Sequence, residues 1–290
     1  MDYKELKKNG FMQQKQKDCF SMRLKNVGGH FTAAQLQTVA KVAEKFGAGY
    51  VHLTSRQGIE IPFIKAQDIE DVKKALAEGG VSVGVCGPRV RTITACQGSA
   101  VCSSGLIDTA RLANEFDKRY GGRELPHKFK FGFTGCRNNC LKAEENDIGI
   151  RGAMVPSWSG ENCIYCGACE RACKFGAIQV DRESKQVNYD KEKCVHCGRC
   201  VKSCPTKDWK GRTGFSVSFG GRYGNQIAVG RHVLSIIFDE TELYAVVDAA
   251  LDFFSRNAQP GERFRCTLDR TGWDGFQRDM EEAARMKKNG

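Results

Sequence analysis

The chain has 290 residues, 41% of them hydrophobic, enough to build several small domains with their own cores. It carries a net charge of +11 and fifteen cysteines, and its mean hydropathy is −0.45. No apolar run approaches the roughly 20 residues of a membrane span. No signal-peptide core is visible, so we expect a cytoplasmic protein without disulfides.

The N-terminal part, residues 1–88, alternates strand and helix patterns. Thr32 and Gln35 form a capping box at the start of a helix that Gly47 ends. The predicted strands are residues 19–24, 50–54, 59–64 and 81–85, and the second helix spans about 68–77. The order β-α-β-β-α-β is a ferredoxin-like split motif. We therefore predict an α+β fold that begins with a ferredoxin-like half domain.

Cysteine loops follow two predicted strands in residues 89–155. These strands are residues 90–95 and 128–134, and a helix over 105–120 separates them. Ligands in α/β sheets lie at the carboxyl ends of strands. This stretch is therefore predicted to be the first part of an α/β cofactor-binding domain.

A linker is predicted at residues 152–160, which contain Gly152, Pro156 and two serines. It would lead into an inserted module, residues 156–209. The α/β domain would then resume over 210–290. A short strand at 215–219 and an amphipathic helix at 241–257 support that return.

Eight cysteines of the inserted module repeat one spacing twice. The two C-x2-C-x2-C-x3-C runs are Cys163, Cys166, Cys169, Cys173 and Cys194, Cys197, Cys200, Cys204. This is the bacterial two-cluster ferredoxin pattern, in which the fourth cysteine of each run completes the other cluster. We assign one 4Fe-4S cluster to Cys163, Cys166, Cys169 and Cys204, and a second to Cys194, Cys197, Cys200 and Cys173. Paired zinc ribbons are the alternative, disfavoured by the third closely spaced cysteine.

Four further cysteines lie outside the module, as Cys96-x5-Cys102 and Cys136-x3-Cys140. Spacing alone indicates a generic four-cysteine cluster. The paired pattern, however, resembles the signature of the sulfite and nitrite reductase family. The resemblance implies a third 4Fe-4S cluster coupled to a sirohaem, with Cys140 as the bridging ligand. The remaining Cys19, Cys86 and Cys266 are expected to be buried thiols.

Basic residues extend the resemblance through the first half of the chain. Arg23 stands in Met-Arg-Leu, Arg56 in Leu-Thr-Ser-Arg-Gln, and Arg91 precedes the first cysteine pair, while Lys128 and Lys130 form a Lys-x-Lys motif. The resemblance implies catalytic roles for Arg23, Arg91, Lys128 and Lys130, and a cofactor-binding role for Arg56. Sirohaem carries eight carboxylates and sulfite is an anion, so such a site requires cations.

The resemblance implies a sirohaem enzyme that reduces sulfite to sulfide with six electrons, relayed through the two ferredoxin clusters. Nitrite reduction to ammonia, and a non-enzymatic polyferredoxin carrier, are the alternatives. The chain has one copy of a unit that larger relatives carry twice. It most resembles the short, ferredoxin-containing type, such as the catalytic subunit of anaerobic sulfite reductase.

We therefore expect a homo-oligomer or hetero-complex and an electron-donor protein or reductase subunit. Nucleic acid is not an expected partner, because anionic cofactors offset the basic chain.

Overall fold

The N-terminal elements form one antiparallel sheet. In the computed structural model, which describes residues 2–286, these elements are α1 (Tyr3–Lys8), β1 (Phe11–Gln13), β2 (Cys19–Lys25), α2 (Ala33–Phe46), β3 (His52–Leu53), β4 (Ile59–Lys65), α3 (Ile69–Glu78) and β5 (Ser82–Val83). The strand order is β1-β2-β4-β3, and β5 also pairs with β2. Side chains along β2 alternate between buried and partly exposed, the period-2 pattern of a sheet with one covered face. The predicted order β-α-β-β-α-β is confirmed.

Local signals set the boundaries of α2. The Thr32 hydroxyl accepts from the Gln35 N–H, and the Gln35 side chain accepts from the Thr32 N–H, which is the predicted capping box. Gly47 follows the last helical residue. β3 is shorter than predicted, because His52 and Leu53 are both exposed and no burial extends the strand.

A mixed four-stranded sheet forms the second part of the fold. Its elements, with the helices beside it, are β6 (Thr94–Ala95), α4 (Thr109–Tyr120), β7 (Phe131–Thr134), β8 (Ile148–Trp158), β11 (Trp209–Phe219), α7 (Glu240–Asn257), α8 (Phe264–Thr271) and α9 (Trp273–Met286). The order is β11-β8-β7-β6, with β8 parallel to β7 and antiparallel to β11. The aromatic core includes Phe116, Phe129, Phe131, Phe254 and Phe264, none of which is exposed.

One strand of this sheet and one helix beside it begin later than predicted. The first strand is limited to Thr94–Ala95, and α4 begins at Thr109, where the Asp108 carboxylate accepts from the Arg111 N–H. No helix in the described part of the chain is long and apolar enough to cross a membrane.

The linker predicted at residues 152–160 is wrong over most of its length. Residues 152–158 belong to β8, which pairs with β11 from Ile148↔Phe219 to Trp158↔Trp209. Gly and Pro suggested a linker, but the partner strand lies far along the chain. Past Arg151, β8 has no ladder with β7, and such an edge position tolerates proline. The predicted boundary at 155/156 thus falls inside a strand.

The segment between β8 and β11 leaves and returns at neighbouring positions, Trp158 and Trp209. It contains α5 (Ala168–Ala172), β9 (Ile178–Asp181), β10 (Gln186–Tyr189) and α6 (Arg199–Ser203). β9 and β10 form a hairpin, and α5 packs near α6. A small core of Cys169, Ile178, Cys200 and Trp209 lies between them.

We predict that the core around Phe116 contributes more stability than the ion pairs beside it. Phe116 is unexposed and packs edge-on against Phe131 and Phe133, so Phe116→Ala should cost about 3–5 kcal/mol. Arg123→Ala removes a solvent-exposed pair with Asp252 and should cost under about 1 kcal/mol. Chemical denaturation of both variants measures the two free energies of unfolding. An equal loss in both would contradict this prediction.

Candidate active site

A cleft of about 270 Å³ lies between the N-terminal sheet and the segments that lead into the cysteine loops. Its lining includes all five basic residues that the sequence singles out: Arg23, Arg56, Arg91, Lys128 and Lys130. They come from β2, the β3–β4 turn and the segments that precede β6 and β7. The fold therefore gathers cations from four separate stretches of the chain on one surface.

Arg56 and Gln57 fasten the β3–β4 turn to the segment before the first cysteine loop. Arg56 donates from Nη1 to Asn146 Oδ1 at 2.8 Å and from Nη2 to the Thr92 carbonyl at 3.2 Å. Gln57 exchanges two hydrogen bonds with the Ala95 backbone, at 2.8 and 3.0 Å. Burial lowers the pKa of Arg56 to about 10. These contacts fix the turn of the N-terminal sheet against the second sheet.

Arg23 and Arg91 are each anchored at one end of the guanidinium. Arg23 Nε donates to Glu60 Oε1 at 2.5 Å, and its Nη1 lies 3.7 Å from Cys86 Sγ. Arg91 Nη1 donates to the Val85 carbonyl at 3.4 Å. Within residues 2–286, no hydrogen-bond partner reaches the buried Nε of Arg91. Cys86 is buried as expected, whereas Cys19 and Cys266 are partly exposed.

The pKa values of Lys128 and Lys130 are both lower than that of an ordinary lysine. Burial, followed by the charge of Arg56, lowers the pKa of Lys130 to about 8. Burial and Arg263 also lower the pKa of Lys128. His127 Nδ1 accepts from the Lys128 N–H at 2.7 Å, and burial lowers the pKa of His127. Lys130 is therefore a group that can hold a proton at neutral pH and release it.

Sequence reasoning missed two charged residues behind the cleft, Asp147 and Arg263. Arg263 Nη2 lies 3.1 and 3.2 Å from the two carboxylate oxygens of Asp147. Asp147 is fully buried and Arg263 is 9% exposed. Neither residue stands in a motif, and the two are far apart in sequence. The two residues meet only in the folded chain, where Asp147 directly precedes β8 and Arg263 directly precedes α8.

The four thiols Cys96, Cys102, Cys136 and Cys140 lie within electrostatic reach of one another. Burial raises the pKa of Cys136, and the other three thiols raise it further. Gly135 N donates to Cys96 Sγ at 3.1 Å, as backbone amides do to cluster sulfurs. Cys102 and Cys140 are exposed, so this site opens at the surface. The donor set fits a 4Fe-4S cluster.

The eight thiols of the inserted segment line two small cavities. One is lined by Cys163, Cys166, Cys169 and Cys204, and the other by Cys173, Cys194, Cys197 and Cys200. This grouping is the one that the crossed ferredoxin pattern assigns. In residues 2–286, no three His, Cys, Asp or Glu side chains converge on a single metal-ion position. Burial raises the pKa of Cys200 to about 12, a cost that iron ligation would offset.

Within the inserted segment, the loop that begins at Cys163 and the loop that begins at Cys194 share one backbone conformation. Tyr165 and His196 have φ of 51° and 55°, and the glycines before α5 and α6, Gly167 and Gly198, have φ of 73° and 68°. In this left-handed region a glycine avoids the Cβ penalty. A Cβ on Gly198 would also stand 2.6 Å from Met154 Sδ. The repeated conformation, like the repeated spacing, suits two equivalent sites.

Comparisons with known proteins identify the family of the chain. Residues 86–288 match the family described as "Nitrite and sulphite reductase 4Fe-4S domain", and residues 12–79 match "Nitrite/Sulfite reductase ferredoxin-like half domain". The chain is 36% identical over 263 residues to the coenzyme F420-dependent sulfite reductase of Methanocaldococcus jannaschii, covering 90% of this chain and 42% of that protein.

A second relative is one of the subunits of the anaerobic sulfite reductase of Salmonella typhimurium. It is 34% identical over 167 residues, covering 52% of this chain and 49% of that relative. The chain therefore spans less than half the length of either relative. Among solved structures, dissimilatory sulfite reductase I superposes with a TM-score of 0.72 at 20% identity, covering 91% of this chain and 69% of that one.

These matches place the chain among the iron-sulfur proteins of the sulfite and nitrite reductase type. The chain belongs to the nitrite and sulphite reductase family, and its 4Fe-4S domain implies sirohaem and a 4Fe-4S cluster as cofactors. The four thiols of the Cys96 group and the cationic cleft fit that pair of groups.

Asp208 joins the two ends of the inserted segment through hydrogen bonds. We predict that Asp208→Ala lowers the iron content of the protein. The carboxylate accepts from Ser159 Oγ at 2.8 Å, Gly160 N at 2.9 Å and Asn162 N at 3.0 Å, just before Cys163. Without these hydrogen bonds, the loop that begins at Cys163 is no longer held at its start. Iron and sulfide analysis should show a loss of about four irons per chain, one cluster. Asp239→Ala, which removes a comparable carboxylate cap at the start of α7 outside the inserted segment, is the matched control. Full iron content in Asp208→Ala would refute the prediction.

Proposed function

We propose that this protein reduces sulfite to sulfide with six electrons at a sirohaem held beside the cationic cleft. The observation that carries the proposal is the gathering of five basic side chains on one cleft, two of whose lining segments lead along the chain into the four-thiol site. Both relatives described above are named sulfite reductases. When bound, the sirohaem and its coupled cluster supply the iron that takes the substrate and the electrons that reduce it.

Charge is the main contribution of the protein's own residues. Arg23, Arg91, Lys128 and Lys130 are proposed to hold sulfite, and Arg56 a sirohaem carboxylate. Guanidinium groups grip oxyanions with two hydrogen bonds, and ammonium groups act as point charges. Preorganised cations of this kind are usually a large catalytic term. Cys140 is proposed as the ligand shared between cluster and haem.

Lys130 is the proposed proton donor. Its pKa of about 8 leaves it mostly protonated at neutral pH, yet close enough to release the proton. As the pH rises through about 8 the group loses its proton and can no longer serve as an acid. Activity that depends on Lys130 should accordingly fall on the alkaline side.

The inserted segment is proposed to be a two-cluster ferredoxin domain, which gives three 4Fe-4S clusters in total. The group of Cys173, Cys194, Cys197 and Cys200 is favoured as the one next to the catalytic site. Arg151 supports this order, because its charge acts on both Cys136 and His196 of the Cys194 loop. A groove lined by Cys194 and Arg137 joins the two regions. Electrons would then enter at the other group.

A partner is proposed to cover the exposed side of the Cys96 group, either a second copy of this chain or another protein of a complex. Exposure of Cys102 and Cys140 supports this, as does the similarity to a protein named as a subunit. An electron-donor protein or reductase subunit would supply electrons to the clusters of the inserted segment. We also propose a cytoplasmic location, where reduced thiols persist.

Nitrite reduction to ammonia is the second candidate, because the matched family includes both activities. Steady-state turnover of each anion by the same preparation distinguishes the two. A much higher kcat/KM for sulfite is expected.

The test of the proposal is an anaerobic ultraviolet-visible spectrum with iron and sulfide analysis, on protein produced with a sirohaem supply. We expect a sirohaem band and about twelve non-haem irons per chain, the sum of three 4Fe-4S clusters. Clusters without a haem band would reduce the protein to an electron carrier. About four irons together with the haem band would refute the proposed ferredoxin domain and support the proposed reductase.

We also predict that Lys128→Met slows sulfite turnover by about a hundredfold, the typical effect of removing one preorganised charge. The haem spectrum and iron content should stay unchanged, because Lys128 is not a proposed iron ligand. Lys118→Met, on the exposed face of α4, is the control and should retain full activity. Wild-type turnover in Lys128→Met would exclude this lysine from the mechanism.

A further inference from the structure

Asp147 lies directly behind the cationic cleft, at the residue before β8. Its Oδ2 accepts from the Lys130 backbone N–H at 2.9 Å. Arg263 Nη2 reaches both carboxylate oxygens, and the side chains of Asp147 and Arg263 are 0% and 10% exposed. One buried carboxylate therefore joins the start of β7, the start of β8 and the residue that precedes α8.

The contacts of Asp147 are those of a carboxylate. Oδ1 and Oδ2 each accept from an N–H donor, and the Lys130 N–H adds a second bond to Oδ2. Burial raises the pKa of Asp147, while Arg263 and Lys130 oppose that shift. A buried ion pair is costly to assemble and costlier to break.

The charges that face Lys130 come from every segment packed around it. Arg56 approaches from the β3–β4 turn, Arg263 from the start of α8, and Lys128 from the same segment as Lys130. All three disfavour a proton on Lys130. Asp147 is the carboxylate that favours it in this set.

We propose that Asp147 and Arg263 are a positioning pair for Lys130, in which Asp147 fixes the Lys130 backbone and offsets the charge of the neighbouring cations. The chemical use of the Lys130 proton rests on the function proposed above. The positioning itself can be measured without turnover.

The direction in which the pKa of Lys130 changes distinguishes this role of Asp147 from a purely structural one. Asp147→Asn keeps an oxygen acceptor for the Lys130 N–H and removes the negative charge, so the pKa of Lys130 should fall below about 8. A loosened fold would instead expose Lys130 to water and raise its pKa toward the ordinary lysine value.

The experiment is trace labelling of the purified holoprotein with acetic anhydride across pH 6–10, with acetylation of Lys130 quantified by peptide mass spectrometry. Only the unprotonated amine reacts, so the midpoint of labelling reports its pKa. We expect the midpoint to move down by about one pH unit in Asp147→Asn. Glu262→Gln is the matched control, because Glu262 also pairs with an arginine of α8, Arg270 at 2.7 Å, and should leave the midpoint unchanged.

Asp147→Ser, a smaller neutral acceptor, carries the test if Asp147→Asn does not fold. An unchanged or raised midpoint in a folded variant would overturn the proposal. Failure of both variants to fold would overturn it in favour of a structural role. Because labelling needs no sulfite, a downward shift in an inactive protein would support the positioning pair while refuting the proposed reaction.

Discussion

The ladder between β8 and β11 is the constraint on which the other parts depend. Its eleven pairs run from Ile148↔Phe219 to Trp158↔Trp209. One end lies beside Asp147 and the cationic cleft, and the other carries the inserted segment with its eight thiols. The register of this ladder is strongly specified, because a slip by one residue would turn every side chain of a strand to the opposite face. The distance between the thiol groups and the cleft is thereby set by backbone hydrogen bonds rather than by a linker.

Charge is the second constraint, and it opposes stability. Arg23, Arg56, Arg91, Lys128 and Lys130 share one cleft, and their repulsion, with burial, lowers the pKa of several of them. Glu60 and Asp147 compensate only part of this charge. Such an excess of cations is unfavourable for a folded chain alone and favourable once an anion is bound. The cleft is thus arranged for an anionic ligand at some expense of stability.

The parts of the fold predicted from sequence are those whose signals are local. The capping box of Thr32 and Gln35, and the helix that Gly47 ends, depend on neighbours within a few residues. The cysteine runs are recognisable because cluster ligands require fixed spacings. The linker prediction failed at Pro156, since β8 gains its partner β11 only through a long-range pairing. Asp147 and Arg263 escaped for the same reason, because their contact exists only in the folded chain.

The thiol sites extend this argument from the cleft to the whole molecule. Burial raises the pKa of Cys136, Cys169 and Cys200, so these thiols are poorly solvated. Iron in the proposed clusters would offset that burial, and metal ligation of this kind adds its binding free energy to folding. The inserted segment has a core of only a few side chains, among them two of the cysteines. The stability of this segment would therefore depend on the proposed clusters far more than that of the sheet that carries it, which has a large aromatic core.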